Sequence, residues 1–254
     1  VKIVHFETLD STQDKAKEFL SSGVELPFAI YADMQTKGRG RSGNEWVSQS
    51  GNLFTSIVIP LKNIDAKDAG QYSFLTAVAL MDTLSDYGVS NAVNKWPNDI
   101  LVDGKKIAGI LLESDIGADG LINALIIGIG VNLVSAPEGA ISLRHCERSE
   151  AIQKFDRKNW IATSALPHHN DSESFLSHFI INLDKNLDII KQNGFIPIRE
   201  KWLTKAHGLG SIIRVRLPHE TFHGEFIGLE EEGALLVNVD GKPRKVYSGE
   251  VFFG

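Results

Sequence analysis

Residues 94–114 read NKWPNDILVDGKKIAGILLES. Pro97 fixes its own φ and restricts Trp96 to extended geometry, so the stretch opens as strand or turn rather than helix. Asn98 and Asp99 are turn-formers. Asp103-Gly104 then separates two apolar runs, a strong β-hairpin signal. Lys95, Lys105 and Lys106 surround this one hairpin. Successive strand residues face opposite sides, so either Lys105 or Lys106 points toward the core or into a cavity beside it. An ammonium group there needs an anionic partner, and a bound carboxylate or phosphate would serve. Periodicity leaves open which lysine turns inward. The plainer reading is a turn between two strands.

Upstream, residues 38–43 read GRGRSG and match G-x-G-x-x-G. A dinucleotide-binding turn of that pattern follows a strand and opens a helix. Here MQTK separates the glycines from the preceding strand, and NEWVSQSGNLFTSIVIP, polar and then strand-like, follows them. With no helix after Gly43, the fingerprint fails in its context, and no G-x-x-x-x-G-K-[ST] occurs. What remains is Lys37, Arg39 and Arg41 among glycines. Glycine lets backbone approach a ligand, and arginine recognises carboxylate or phosphate with several donors. Trp46 adds an aromatic face on which a base could stack. This describes a flexible cationic loop able to close over an anion; a solvated loop with chance basic residues is the alternative. Downstream, IIGIGVNL (126–133) places Gly128 and Gly130 on one face of a strand, where they clear space. A bulge or close helix packing would need the same glycines.

Working outward, 1–6 alternates as a short strand, and LDSTQDKAKEFLSSG reads as a helix with Asp10, Ser11 and Thr12 as candidate caps. Strands follow at 28–32 and 52–59, a long helix at 66–87 and a strand at 122–133. Phe175, Phe179, Leu183 and Leu187 recur every four residues from Ser172, one apolar helical stripe. A helix at 198–205 ends the first domain, set at 1–206. Beyond it IIRVRL, FHGEFIGL, ALLVNV and KVYSGEVFF read as a small all-β module, 207–254. Residues 136–159 are polar and weakly periodic, and read as an inserted surface loop.

The chain has 254 residues, 43% hydrophobic, and a net charge of -6. That composition suits a soluble globular protein, and the charge argues against a broad nucleic-acid surface. A local basic cluster in an acidic chain points instead to a small anionic ligand. One cysteine, Cys146, allows no internal disulfide, and no apolar run approaches membrane-span length. The expectation is a cytoplasmic protein with no membrane and no nucleic-acid partner.

GRGRSG, KWPND, KIAGIL and GIGVN occur in this order, with DST at 10–12 and ATS at 162–164. The combination resembles the biotin protein ligases, also called biotin–[acetyl-CoA-carboxylase] ligases, over essentially the whole chain. The KWPND and KIAGIL pair carries most of the specificity. The resemblance implies an α+β fold: a catalytic domain like that of class II aminoacyl-tRNA synthetases, then an SH3-like β-barrel. Because the chain starts at the first catalytic strand, it looks like the monofunctional type without an N-terminal DNA-binding domain. The implied substrates are biotin and ATP with Mg2+, and the implied partner is a biotin carboxyl carrier protein whose lysine is the acceptor. No protein metal site is implied. Oligomeric state is not legible, although related ligases pair through the central sheet, so a homodimer is allowed.

By the same resemblance, Lys106 contacts the biotin carboxylate and α-phosphate, and Arg39 and Arg41 lie in the loop over the adenylate, with Arg41 restraining it. Ser11, Thr12 and Gln35 hold the biotin head group, Gly38 belongs to the same set, and Gly109, Leu111, Gly128 and Gly130 wall the pocket. Trp46 and Asn132 contact the adenylate. Lys95 and Asp99 lie near the reacting phosphate and the acceptor lysine, and Asp99 is a candidate for deprotonating that amine. A lipoate–protein ligase is the nearest alternative, and a non-catalytic sensor the alternative of another class.

Overall fold

The computed structural model describes residues 1–146 and 172–253. Two sheets organise the chain. The first has seven strands: β1 (Lys2–Leu9), β2 (Phe28–Gln35), β3 (Leu53–Asp65), β4 (Val93–Lys95), β5 (Asp99–Val102), β6 (Lys105–Ile116) and β7 (Leu121–Val131). Their order across the sheet is β1-β2-β3-β7-β6-β5-β4. Only β1 and β2 run parallel, joined by helix α1 (Thr12–Ser21); every other pair is antiparallel. The hairpin at Asp103-Gly104 forms as expected, with both residues at positive φ, 50° and 73°. That is what a two-residue turn matched to strand twist requires.

Strand parity sorts the side chains onto two faces. Phe28, Ile30, Val58, Ala124 and Ile126 pack with Ala16 of α1 on one face. Ala29, Tyr31, Ile57, Ile127 and Ile129 face the larger core, under α2 (Gln71–Asp86), α3 (Ser172–Asn193) and α4 (Ile196–Leu203). The apolar stripe of α3 is buried throughout. The helix expected from 66 is in fact a tighter 3-10 turn, Ala66–Gly70, leading into α2, a common form of helix entry.

The C-terminal strands are β8 (Ile212–Arg216), β9 (Thr221–Leu229), β10 (Leu235–Val239), β11 (Lys242–Val246) and β12 (Glu250–Phe253). They form an antiparallel sheet in the order β11-β10-β9-β8-β12, and no pairing of β11 with β12 closes it into a barrel among the described residues. Its inner residues Ile213, Val215, Phe226 and Val237 join the same core as α2 and α4. Arg199 Nε donates to Leu229 O at 2.6 Å, and the Phe74 ring lies 2.6 Å from where a Cβ on Gly233 would be.

The segment read as a surface loop from 136 is in part core. Ile141, Leu143 and Cys146 are all buried. Ile141 N–H donates to Lys106 O, and Leu143 N–H to Asn132 O, so residues 140–143 run along the ends of β6 and β7. Composition hides this because the buried stretch, residues 141–143 with Cys146, is short and set among polar residues. Residues 147–159 of that loop, and ATS at 162–164, lie outside the described residues.

Candidate functional site

Cross-strand register builds the floor of a site on the α1 face. Gly109 of β6 pairs with Gly130 of β7, Leu111 with Gly128, and Glu113 with Ile126. Ser56 of β3 lies opposite Gly128 on the other side. Helix α1 packs on Ile126 and reaches Gly128 through Gln13, and Gly109, Gly128 and Gly130 line a cavity beside it. A Cβ on Gly128 would meet Gln13 Oε1 at 2.6 Å, and one on Gly130 would meet the Trp46 ring at 2.2 Å. The glycines are therefore required for close approach, not for turning.

The cavity's polar wall is the N-terminal end of α1. Ser11 caps the helix through Asp14 N–H. Thr12 N–H and Oγ1 both reach Gln35 Oε1, at 2.8 and 3.1 Å. Ser56 Oγ lies 2.9 Å from Thr12 Oγ1 and 2.8 Å from Gln13 Oε1, while Gln13 Nε2 donates to Ile126 O. Gln35 Nε2 continues to Ser48 Oγ at 3.2 Å. Such a network fixes side-chain orientation, which suits recognition of a neutral polar head group.

Lys106 reaches the same face through a break in register. Ile100 pairs with Ala108 but Leu101 with Lys106, so Ile107 is an extra residue on β6. Such a bulge re-aims the side chains that follow it. It brings Lys106 and Gly109, three residues apart, to one side: Lys106 Nζ is 3.0 Å from a Cβ built on Gly109. Lys105 is exposed. Lys106 Nζ makes an ion pair with Asp99 at 2.6 Å and sits 5.0 Å from the centroid of the Trp46 ring.

Residues 38–46 fold as a small hairpin. Trp46 N–H donates to Gly38 O, Arg39 bridges to Glu45, and Gly40 N–H donates to Asn44 O. The tip is a 3-10 turn, Arg41–Gly43, with Gly43 at φ 78°. Of Lys37 at its root and Arg39 and Arg41 within it, two meet protein carboxylates: Lys37 pairs with Asp10 at 2.9 Å and Arg39 with Asp14 at 2.5 Å. Arg41 Nη1 donates to Asn98 Oδ1 at 3.2 Å. Burial pushes the Arg41 guanidinium below its usual range, and the carboxylates of Asp99 and Glu250 act the other way. It remains a cation at any ordinary pH. Trp46 Nε1 is buried without a hydrogen bond, and its indole fills the space over Gly109 and Gly130. The cavity left is about 50 Å³, room for a few waters.

A second cavity of about 690 Å³ adjoins the first and shares Arg41, Trp46, Asn98 and Lys106 with it. Lys95 and Asp99 line it, and Arg216, Glu250 and Phe252 of the C-terminal sheet form its far wall. A shaped polar pocket opening into a wider charged cleft can hold one reactant and admit another beside Lys106.

The model of the biotin/lipoate A/B protein ligase family matches residues 5–132, and that of the biotin protein ligase C terminal domain matches 208–254. The chain belongs to the biotin/lipoate A/B protein ligase family. The biotin–[acetyl-CoA-carboxylase] ligase of Paracoccus denitrificans is 34% identical to this ligase over 96% of this chain and 98% of its own length. The bifunctional ligase/repressor BirA of Bacillus subtilis is 31% identical over 99% of this chain and 74% of its length. The biotin protein ligase of Aquifex aeolicus, solved in complex with biotin and ATP, superposes with a TM-score of 0.78 at 27% identity, covering 99% of this chain and 97% of that one.

Of the residues singled out in the ligase sequence, Ser11, Thr12, Gln35, Arg39, Arg41, Trp46, Lys106, Gly109, Leu111, Gly128 and Gly130 line the first cavity together. Gly38 does not line it; it lies at the hairpin root, where a Cβ would come 2.6 Å from Trp46 O. Asn132 lines neither cavity. Its side chain donates to Lys106 O and Ile141 O, so it braces the strand that carries Lys106. Gln13 and Ser56 also line the first cavity and went unremarked in the sequence, and Asn98, read there only as a turn-former, lines it too. Gln13 continues the Ser-Thr pair on the cavity-facing side of α1, and Ser56 shares parity with buried Val58, signals that could have found both.

Proposed function

We propose that this chain is a biotin–[acetyl-CoA-carboxylase] ligase. It condenses biotin with ATP to give biotinyl-5′-adenylate and pyrophosphate, and transfers the biotinyl group to a lysine of a biotin carboxyl carrier protein. The observation that carries this reading is Lys106. One ammonium group stands where the polar pocket meets the charged cleft, with Arg41 beside it.

The first step brings a carboxylate against a triphosphate, and positioned cations offset the repulsion. Lys106 is read as contacting the biotin carboxylate and the α-phosphate, exchanging Asp99 for them as substrates bind. Ser11, Thr12 and Gln35 hold the head group over the glycine floor, and Arg39 and Arg41 belong to the hairpin covering the adenylate. Trp46 moves off Gly109 and Gly130 to admit the ligand, and its ring then stacks on the adenylate. ATP arrives with Mg2+, and Lys95 faces the phosphates from the cleft. Asp99, released from Lys106, stands in the cleft where the acceptor lysine enters and is suited to receive its proton. Asn132 supports this set from behind. The C-terminal sheet is read as an SH3-like module, and a cytoplasmic location suits an ATP-dependent enzyme with one cysteine. A homodimer paired through the central sheet is compatible with the fold.

Incubation of the protein with ATP and either biotin or lipoate, followed by mass spectrometry of an added carrier domain, tests the reading. Mass gain with biotin alone is expected. Modification by lipoate alone would assign the chain to the other branch of its family. Arg41→Gly is expected to make adenylate but let it escape, seen as labelling of bystander lysines; retention equal to wild type would remove Arg41 from the lid.

A further inference from the structure

We propose that Asp14 and Glu113 are positioning residues that latch the 38–46 hairpin over the site through Arg39, an inference that rests on the ligase reading for its catalytic consequence. Arg39 Nη2 lies 2.5 Å from Asp14 Oδ1 on α1 and 3.7 Å from Glu113 Oε2 on β6. Glu113 sits one row beyond the floor pair Leu111 and Gly128, next to Ile126, where α1 covers the sheet. The guanidinium therefore spans from helix to strand across that end of the cavity. Arg39 is also bridged to Glu45 by backbone, so a hold on Arg39 is a hold on both arms of the hairpin.

Glu113 adds a second, less exposed contact to the latch. Its Oε1 is paired with Lys17 Nζ at 2.9 Å, while its Oε2 is buried with no hydrogen bond among the described residues and has Arg39 as a nearby cation at 3.7 Å. Lifting the hairpin would leave that oxygen without this charge, and removing one partner from a partly buried pair is costly. Asp14 is the more exposed end, where an ion pair is weaker and screened by salt. The latch thus has two unlike contacts, a short hydrogen-bonded pair with the exposed Asp14 and a longer ion pair with the less exposed Glu113, and neither is so deeply buried that the hairpin cannot open for ligand exchange. Of the other contacts, Lys37 with Asp10 and the packing of Trp46 over Gly109 and Gly130 act at the root and Arg41 with Asn98 at the tip, which leaves the middle to Arg39.

The hairpin carries its own reporters, because trypsin cuts after Lys37, Arg39 and Arg41. Full-length wild type, Asp14→Asn, Glu113→Gln and the double variant would be digested without substrates at low and high salt, with cuts assigned by mass spectrometry and folding checked by thermal unfolding. Each single change is expected to speed cleavage within the hairpin by about two- to fivefold, and the double change by more. Salt should accelerate wild-type cleavage and leave the double variant nearly unchanged. With biotin and Mg-ATP, escape of adenylate onto a bystander protein should rise by a similar factor while pyrophosphate release at saturating substrate changes little. A folded double variant whose hairpin is cut no faster than wild type overturns the latch. Absence of pyrophosphate release by the wild type would overturn the ligase reading instead, and the digestion would still decide the latch.

Discussion

At the scale of single residues, Lys106 and Gly130 do unlike work and fail in unlike ways. Lys106→Ala removes a cation from the meeting point of two cavities. Pyrophosphate release from biotin and ATP should fall by about two to three orders of magnitude, as when a preorganised charge is lost. Stability should change by less than about 1 kcal/mol, because the Lys106–Asp99 pair is partly solvated and Asp99 keeps the field of Arg41. Near-normal release by the folded variant would take Lys106 out of the mechanism. Gly130→Ala adds one methyl group where the indole of Trp46 already lies at 2.2 Å. The ring must leave, so Trp46 fluorescence should shift to the red and the KM for biotin should rise; an unchanged emission spectrum would contradict the packing. The need for space at Gly128 and Gly130 was legible from parity. The object filling it was not, because Trp46 is more than eighty positions away in sequence.

At the scale of elements, the joint between α4 and β8 sets a pH response. His207 N–H donates to Asn94 O, and its ring lies edge-on to Phe253 at 4.3 Å. Burial, with Lys95 nearby, lowers its pKa below the ordinary 6.5. The folded state therefore prefers the neutral ring. Its contribution to stability is whole above the unfolded value of 6.5 and is lost as pH falls through the lower folded value. Urea midpoints should drop between about pH 7 and pH 5 in wild type, and His207→Gln should flatten that slope. An equal slope in both would assign the loss to other groups. The elements themselves were largely readable: the Asp103-Gly104 turn, the α3 stripe and the β character of the C-terminal part follow local rules, although the last run, KVYSGEVFF, is split between the end of β11 and β12. The missed feature, residues 140–143 lying along β6 and β7, is too short to leave a period.

For the whole molecule, both sheets share one core. Phe74 of α2 packs against Phe195, Trp202 and Gly233, joining the helical layer to the C-terminal sheet. Phe74→Ala should cost about 3–5 kcal/mol, measured by denaturant unfolding. Wild type should unfold in one calorimetric transition, and separate melting of residues 208–253 would deny the shared core. Deletion of residues 143–154 should destabilise the chain, since Leu143 is fully buried. By itself the sequence determined most element types and the family, because these rest on short-range patterns: period, turn chemistry and ordered strings. Only the tertiary structure decided which lysine faces the site. A bulge at Ile107 and the chain at 140–141 overrule the simple alternation of β6, so Lys106 joins the face of Gly109. Likewise, that Arg39 meets Asp14 and Glu113 depends on bringing a loop, a helix and a strand together, a relation between distant segments that no local pattern encodes.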